Sequence, residues 1–245
     1  MRNIFSLGIV SALLAYTTMP VLAQEHSIDI QPTKIEVSSN ARTASIALTN
    51  NGTADKLYQA TMFSWNQNDN QDQLVPSNDI IVFPPVVTIA AGTTKIFRFG
   101  IKPASSINNR ERSYRLMLQE IPSKVNINSG VQFSYNFSVP IFIASLGKVT
   151  NDLKWTASLN SNHRNLTLIL NNNGSVHVLV EKINIFSDFA GTALLSRLVV
   201  SSDVLAGTKR VFNFELPQPL VTNAVSGELV LDNGKVLKFL VPVTS

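Results

Sequence analysis

Residue types that could do covalent or metal chemistry are few in this chain of 245 residues. The histidines His26, His163 and His177 are scattered, and none stands at metal-ligand or triad spacing from an Asp or Glu. With no cysteine, thiol nucleophiles and the common zinc constellations are excluded, and nothing in the fold can depend on disulfides. The chain carries no Gly-rich phosphate loop, no nucleophile elbow and no pair of carboxylates flanked by aromatics. An enzyme is therefore not expected, and neither ATP, a metal nor another cofactor is implied. Matches to Asn-x-Ser/Thr at Asn51, Asn136, Asn165 and Asn173 are what Asn-rich turns produce by chance.

What remains is recognition by the backbone. Across residues 131–143 every odd position is apolar: Val131, Phe133, Tyr135, Phe137, Val139, Ile141 and Ile143. The even positions up to Pro140 are Gln132, Ser134, Asn136, Ser138 and the proline itself. Side chains alternate faces along a strand, so this is a long ribbon with one apolar and one polar face. Two readings stand at this point: a half-buried strand of a sandwich, or a strand lent to another protein.

The elements around it read as β. Short runs rich in Val, Ile, Phe and Thr are separated by Asn, Gly, Asp and Pro clusters at intervals of roughly ten residues. Strands are predicted near 28–37, 43–50, 56–66, 80–89, 93–101, 112–121 and 131–143, with turns at 50–52, 66–72, 91–92 and 105–110. A second series follows at 153–159, 164–171, 176–186, 193–200, 208–216 and 226–243, with turn signals at 171–174 and 232–234. No close repeat between the halves and no low-complexity linker is apparent. The expected fold is all-β, with two immunoglobulin-like sandwiches at a fixed angle.

The start of the chain is different. Arg2 precedes an uncharged apolar stretch over 4–22 that ends in Val21-Leu22-Ala23, the pattern of a secretory signal peptide cut after Ala23. An uncleaved anchor is the alternative, against which Pro20 and the cleavage pattern argue. The organisation is then 1–23 signal peptide, 24–147 first domain and 148–245 second domain, with no membrane insertion of the mature chain. Without Arg2, 19 basic residues face 16 acidic ones. That excess is too small and too dispersed for nucleic acid.

Several local patterns together resemble a family. Phe63-Ser64-Trp65-Asn66-Gln67, Leu74-Val75-Pro76-Ser77, Phe83-Pro84-Pro85, Ala91-Gly92 and Phe97-Arg98-Phe99 come in order. They are followed by Ser113-Tyr114-Arg115-Leu116 and Glu120-Ile121-Pro122. This series resembles the first domain of PapD-like periplasmic pilus chaperones, and its Trp-Asn-Gln, Tyr-Arg and Ser-Val-Pro-Ile elements resemble the archaic, spore-coat-U-type branch of the chaperone-usher pathway. The resemblance covers roughly 28–145.

The resemblance implies a periplasmic chaperone for pilus or fimbrial subunits, working with an outer-membrane usher. It implies that the strand over 131–141 completes a subunit lacking its own final strand, with Val131, Phe133, Tyr135, Phe137, Val139 and Ile141 as donor residues. It also implies a basic anchor for the subunit's C-terminal carboxylate. Lys34 falls where the better-known branch has an Arg. That branch's second anchor, a Lys, aligns with Pro140, and Arg115 is the substitute expected here. The alternative for Arg115 is a surface arginine paired with an acid such as Glu111 or Glu120, and Arg98 is expected to be structural. Free of a subunit, the exposed strand predicts self-association or loss of order over 123–135. The rival from another class is a secreted pilus subunit or adhesin, which would place its donor segment at the mature N-terminus.

Overall fold

The computed structural model describes residues 28–68, 70–103, 109–122 and 134–244, and among these it contains strands and no helix. The expected signal peptide and the donor residues Val131 and Phe133 lie outside the described residues.

The first sandwich is built from β1 (Ile28–Gln31), β2 (Ile35–Val37), β3 (Thr43–Asn50), β4 (Lys56–Asn68) and β5 (Gln71–Pro76). It continues through β6 (Ile80–Phe83), β7 (Val86–Ile89), β8 (Thr94–Ile101), β9 (Arg112–Ile121) and β10 (Asn136–Ile143). One sheet has the order β1-β3-β8-β6; the other runs β2-β10-β9-β4-β5, with β7 also paired to β4. Two runs expected as single strands are each divided between the two sheets. Pro32 separates β1 from β2, and Pro84-Pro85 separates β6 from β7, because a proline has no N–H for the ladder and marks where a strand leaves its sheet. The turn expected over 66–72 is largely strand. β4 continues to Asn68 and returns on β5, with Asn70 at φ 63° between them.

The facing sides of these sheets form one core, in which Ile46, Leu48, Phe97 and Phe99 meet Tyr58, Leu116, Leu118, Val139 and Ile141. Each large apolar side chain so buried contributes roughly 1.5–3 kcal/mol.

The second sandwich contains β11 (Leu153–Leu159), β12 (Asn165–Asn172), β13 (Val178–Phe186), β14 (Leu194–Val204), β15 (Lys209–Glu215), β16 (Ala224–Leu231) and β17 (Val236–Thr244). The run expected over 226–243 is the hairpin β16–β17, turning at Asp232-Asn233-Gly234 with Gly234 at φ 75°. β17 pairs antiparallel with β16 and, at its end, parallel with β11, so the seven strands form a continuous sheet folded over a second core.

Each sandwich is pinned by the same buried device. Asn50 Nδ2 donates to the carbonyls of Ala54 and Ile89, and its Oδ1 accepts from Gly52 N. Asn172 Nδ2 donates to the carbonyls of Val176 and Val204, and its Oδ1 accepts from Gly174 N. The halves are thus structural repeats, which the sequence reading did not find.

Candidate functional site

The register of β10 decides which of its groups are available. Glu120 N donates to Tyr135 O, and Phe137, Val139 and Ile141 pair with Leu118, Leu116 and Tyr114 of β9. Backbone groups alternate sides, so odd residues hydrogen-bond β9 and even residues face the other way. Ala144 N accordingly donates to Val37 O of β2. But β2 pairs only with Ile141, Phe142 and Ile143. Over residues 136–140 the second edge of β10 has no strand beside it among the described residues, and the amides of Asn136 and Ser138 point into that gap. Pro140, the third even residue, lacks an N–H on the same edge and so costs nothing in the β9 ladder.

The side chains require a correction. Val139 and Ile141, expected to enter a subunit, are buried in the first core, because their odd positions share the inward face with Leu116 and Tyr114. Phe137 is half-buried against that core, 6.3 Å from the ring of Tyr58, and Tyr135 is half-buried at its margin.

The two expected anchors fall in one row. Ile35 is opposite Ile141 and Pro140 is opposite Arg115, so continuing the pairing by one residue sets Lys34, Pro140 and Arg115 side by side on the outer face. Both cations reach the second sandwich. Lys34 Nζ lies 2.7 Å from Glu36 Oε1 and 3.1 Å from Asp232 Oδ2. The Glu36 bond raises its pKa against the opposing effect of burial, and Asp232 adds to the rise. The guanidinium of Arg115 lies 3.7 Å over the Trp65 ring, with Nη2 at 3.4 Å from Asp203 Oδ2. The acid that meets Arg115 is thus Asp203 rather than Glu111, which pairs with His177, or Glu120, which pairs with Lys56. Burial lowers the pKa of Arg115 and raises that of Asp203, in each case against the attraction of the partner.

Between the sandwiches, Trp65 and Phe142 pack with Leu205, and the His177 ring stacks on Phe142 at 3.5 Å and 6°. His177 Nδ1 is 2.7 Å from Glu111 Oε1. Sequence spacing had separated these two, which lie 66 positions apart. Beside them a cavity of about 420 Å³ is lined by Lys34, Glu36, His177, Asp232, Lys235 and others. No cluster of metal-ligating side chains occurs among the described residues.

Gln67, in the sequence only one residue of the Trp-Asn-Gln motif, fastens the sandwiches together. Its Oε1 accepts from Leu205 N at 3.0 Å and Thr208 Oγ1 at 2.8 Å, while Nε2 donates to Asp203 O at 2.9 Å and Asp72 Oδ1 at 3.2 Å. Next to it Arg210 donates to Asn70 O, to Asp203 O and to Asp72.

The chain thus joins two sandwiches and carries an open strand edge beside a charged cleft between them. Residues 27–144 match the family model for pili and flagellar-assembly chaperones, PapD N-terminal domain. Among solved structures, the chain is similar to the CsuC-CsuE chaperone-tip adhesion subunit pre-assembly complex from archaic chaperone-usher Csu pili of Acinetobacter baumannii. That match has TM-score 0.64 and 23% identity, over 89% of this chain and 99% of that one. The Salmonella enterica SafA pilin in complex with the SafB chaperone matches at TM-score 0.57 and 14% identity, over 88% of this chain and 96% of that one. The Pseudomonas aeruginosa CupB2 chaperone matches at TM-score 0.57 and 16% identity, over 88% and 100%. No curated protein sequence matches the chain.

Proposed function

We propose that this chain is a periplasmic chaperone for pilus subunits that holds a subunit by adding β10 to the subunit's incomplete sandwich. The observation that carries this reading is the open edge over residues 136–140, which ends at Lys34. β2 runs parallel to β10 and occupies the edge only from Ile141 onward. A subunit strand laid parallel in the gap would run head-on toward β2 and bring its C-terminus to Lys34. Main-chain hydrogen bonds to the edge supply affinity, and side-chain pockets supply specificity.

Tyr135 and Phe137, together with Val131 and Phe133, are the donor side chains in this reading, and Val139 and Ile141 support the strand from below. Lys34 receives the subunit carboxylate in exchange for Asp232. Arg115, across Pro140, adds positive charge from beneath Trp65. The resemblance to the archaic branch supports delivery to an outer-membrane usher, and the same open edge is where a second copy would pair in the absence of a subunit. No catalytic step is assigned.

Coexpression with a pilus subunit that the parent chain captures tests this reading. Ser138→Pro removes the edge N–H without touching the β9 ladder, and Lys34→Ala removes the anchor. Both are expected to cut recovery of the chaperone–subunit complex at least tenfold, with melting temperatures within a few degrees of the parent's. Full recovery with Ser138→Pro would contradict strand addition at this edge, and full recovery with Lys34→Ala would contradict the anchor.

A further inference from the structure

Glu120 closes the inward-facing series of β9 and is buried, at a position where its neighbours Leu116 and Leu118 are core residues. A buried carboxylate survives only where its charge is met and its oxygens are hydrogen-bonded. Its two oxygens serve two elements. Oε1 accepts from Lys56 Nζ of β4 at 2.6 Å, and Oε2 accepts from the Tyr135 amide at 2.9 Å. The backbone repeats the connection, since Glu120 N donates to Tyr135 O at 3.3 Å and to Asn136 Oδ1 at 3.2 Å. Ser134 Oγ donates to Glu120 O at 3.3 Å, and Lys56 Nζ lies 5.7 Å from the centroid of the Tyr135 ring. The Tyr58 hydroxyl is buried nearby, and burial followed by the Glu120 charge keeps it protonated.

These contacts sit where packing gives the least hold. The later half of β10 is fixed by Val139, Ile141 and Ile143, all in the core, whereas its start has only the half-buried Phe137. A slip of one residue would reverse every side chain and turn the Tyr135 amide away from β9. Only the observed register lets the Glu120 carboxylate and the Glu120 amide both bond Tyr135.

We propose that Glu120, charged against Lys56, is a positioning residue for the donor strand: it fixes where β10 joins its own sheet and so the register in which the open edge is offered to a subunit. The inference rests on the donor-strand reading of β10, but it is testable without any subunit. Amide exchange of the mature chain is measured residue by residue. Glu120→Ala is expected to speed exchange at Tyr135 and Phe137 at least tenfold while Ile141 and Ile143 keep the parent's rates. Glu120→Gln keeps an acceptor for the Tyr135 amide and loses the ion pair, so it gives a smaller increase confined to the same two amides. It also carries the test if the alanine variant does not fold. Unchanged exchange at Tyr135 and Phe137, or equal loss of protection at Ile141 and Ile143, would overturn the proposal. Subunit recovery with Ser138→Pro, measured in parallel, separates failure of the latch from failure of the donor reading.

Discussion

Asp203 shows how closely the charges of the cleft are balanced. Its carboxylate is largely buried, and burial raises its pKa even though His177, Arg115 and Lys34 all act in the opposite direction. An acid whose folded-state pKa lies above its unfolded value binds its proton more tightly when folded. Its ionisation therefore weakens folding as pH rises through that window, and the penalty is absent in acid. Asp203→Asn keeps an oxygen for Arg115 and leaves the backbone carbonyl used by Gln67 and Arg210 in place. The variant should raise the urea midpoint at pH 7, with the gap to the parent narrowing as pH falls toward the ordinary carboxylate value of 3.8. A gap that is constant or grows in acid would show that the ion pair outweighs burial. None of this was legible in the sequence, because Arg115 and Asp203 are 88 positions apart and meet only once two sandwiches dock.

The hairpin β4–β5 is the element that makes that docking specific. Gln67 uses both ends of its carboxamide on the end of β14 and the turn after it, so Gln67→Leu strands the Leu205 amide in a partly dry interface, at about 1–3 kcal/mol, while the Asp203 carbonyl keeps its bond from Arg210. The absence of native cysteine allows spin labels at exposed Lys95 and Lys238 without background. The parent should give one narrow distance distribution, and Gln67→Leu a broad one with both sandwiches still folded. An unchanged distribution would assign the fixed geometry to the Trp65–Phe142–Leu205 contact instead. Most strands could be read from alternation and turn residues, but β5 could not. Every residue of Gln71–Pro76 is exposed, so the strand has no apolar face to announce it and is held by pairing with β4 and by the bond from Arg210 to Asp72. The alternation announced a strand correctly over Asn136–Ile143. It could not say which of the odd side chains the chain's own core would claim, since that depends on how far β9 extends beneath them.

Across the whole molecule, the repeated Asn latch ties the two halves to one plan. The signal was present as Ala91-Gly92-Thr93 with Phe97 and Phe99, against Ala206-Gly207-Thr208 with Phe212 and Phe214. It escaped notice because the strands between these points share burial rather than residue identity. In both copies the last strand meets a short parallel partner only near its end, β17 with β11 at Val243 and Thr244 and β10 with β2 from Ile141. An unpaired strand edge invites another chain, and the proposed function turns that hazard to use. Single-amide hydrogen exchange on the free chain and on a purified one-to-one complex with the subunit tests this most directly. Asn136 and Ser138 are expected to exchange freely in the chain alone and at least tenfold more slowly in the complex, with Phe137 and Val139, already bonded to β9, little changed. Equal exchange of Asn136 and Ser138 in both states would contradict strand addition at β10.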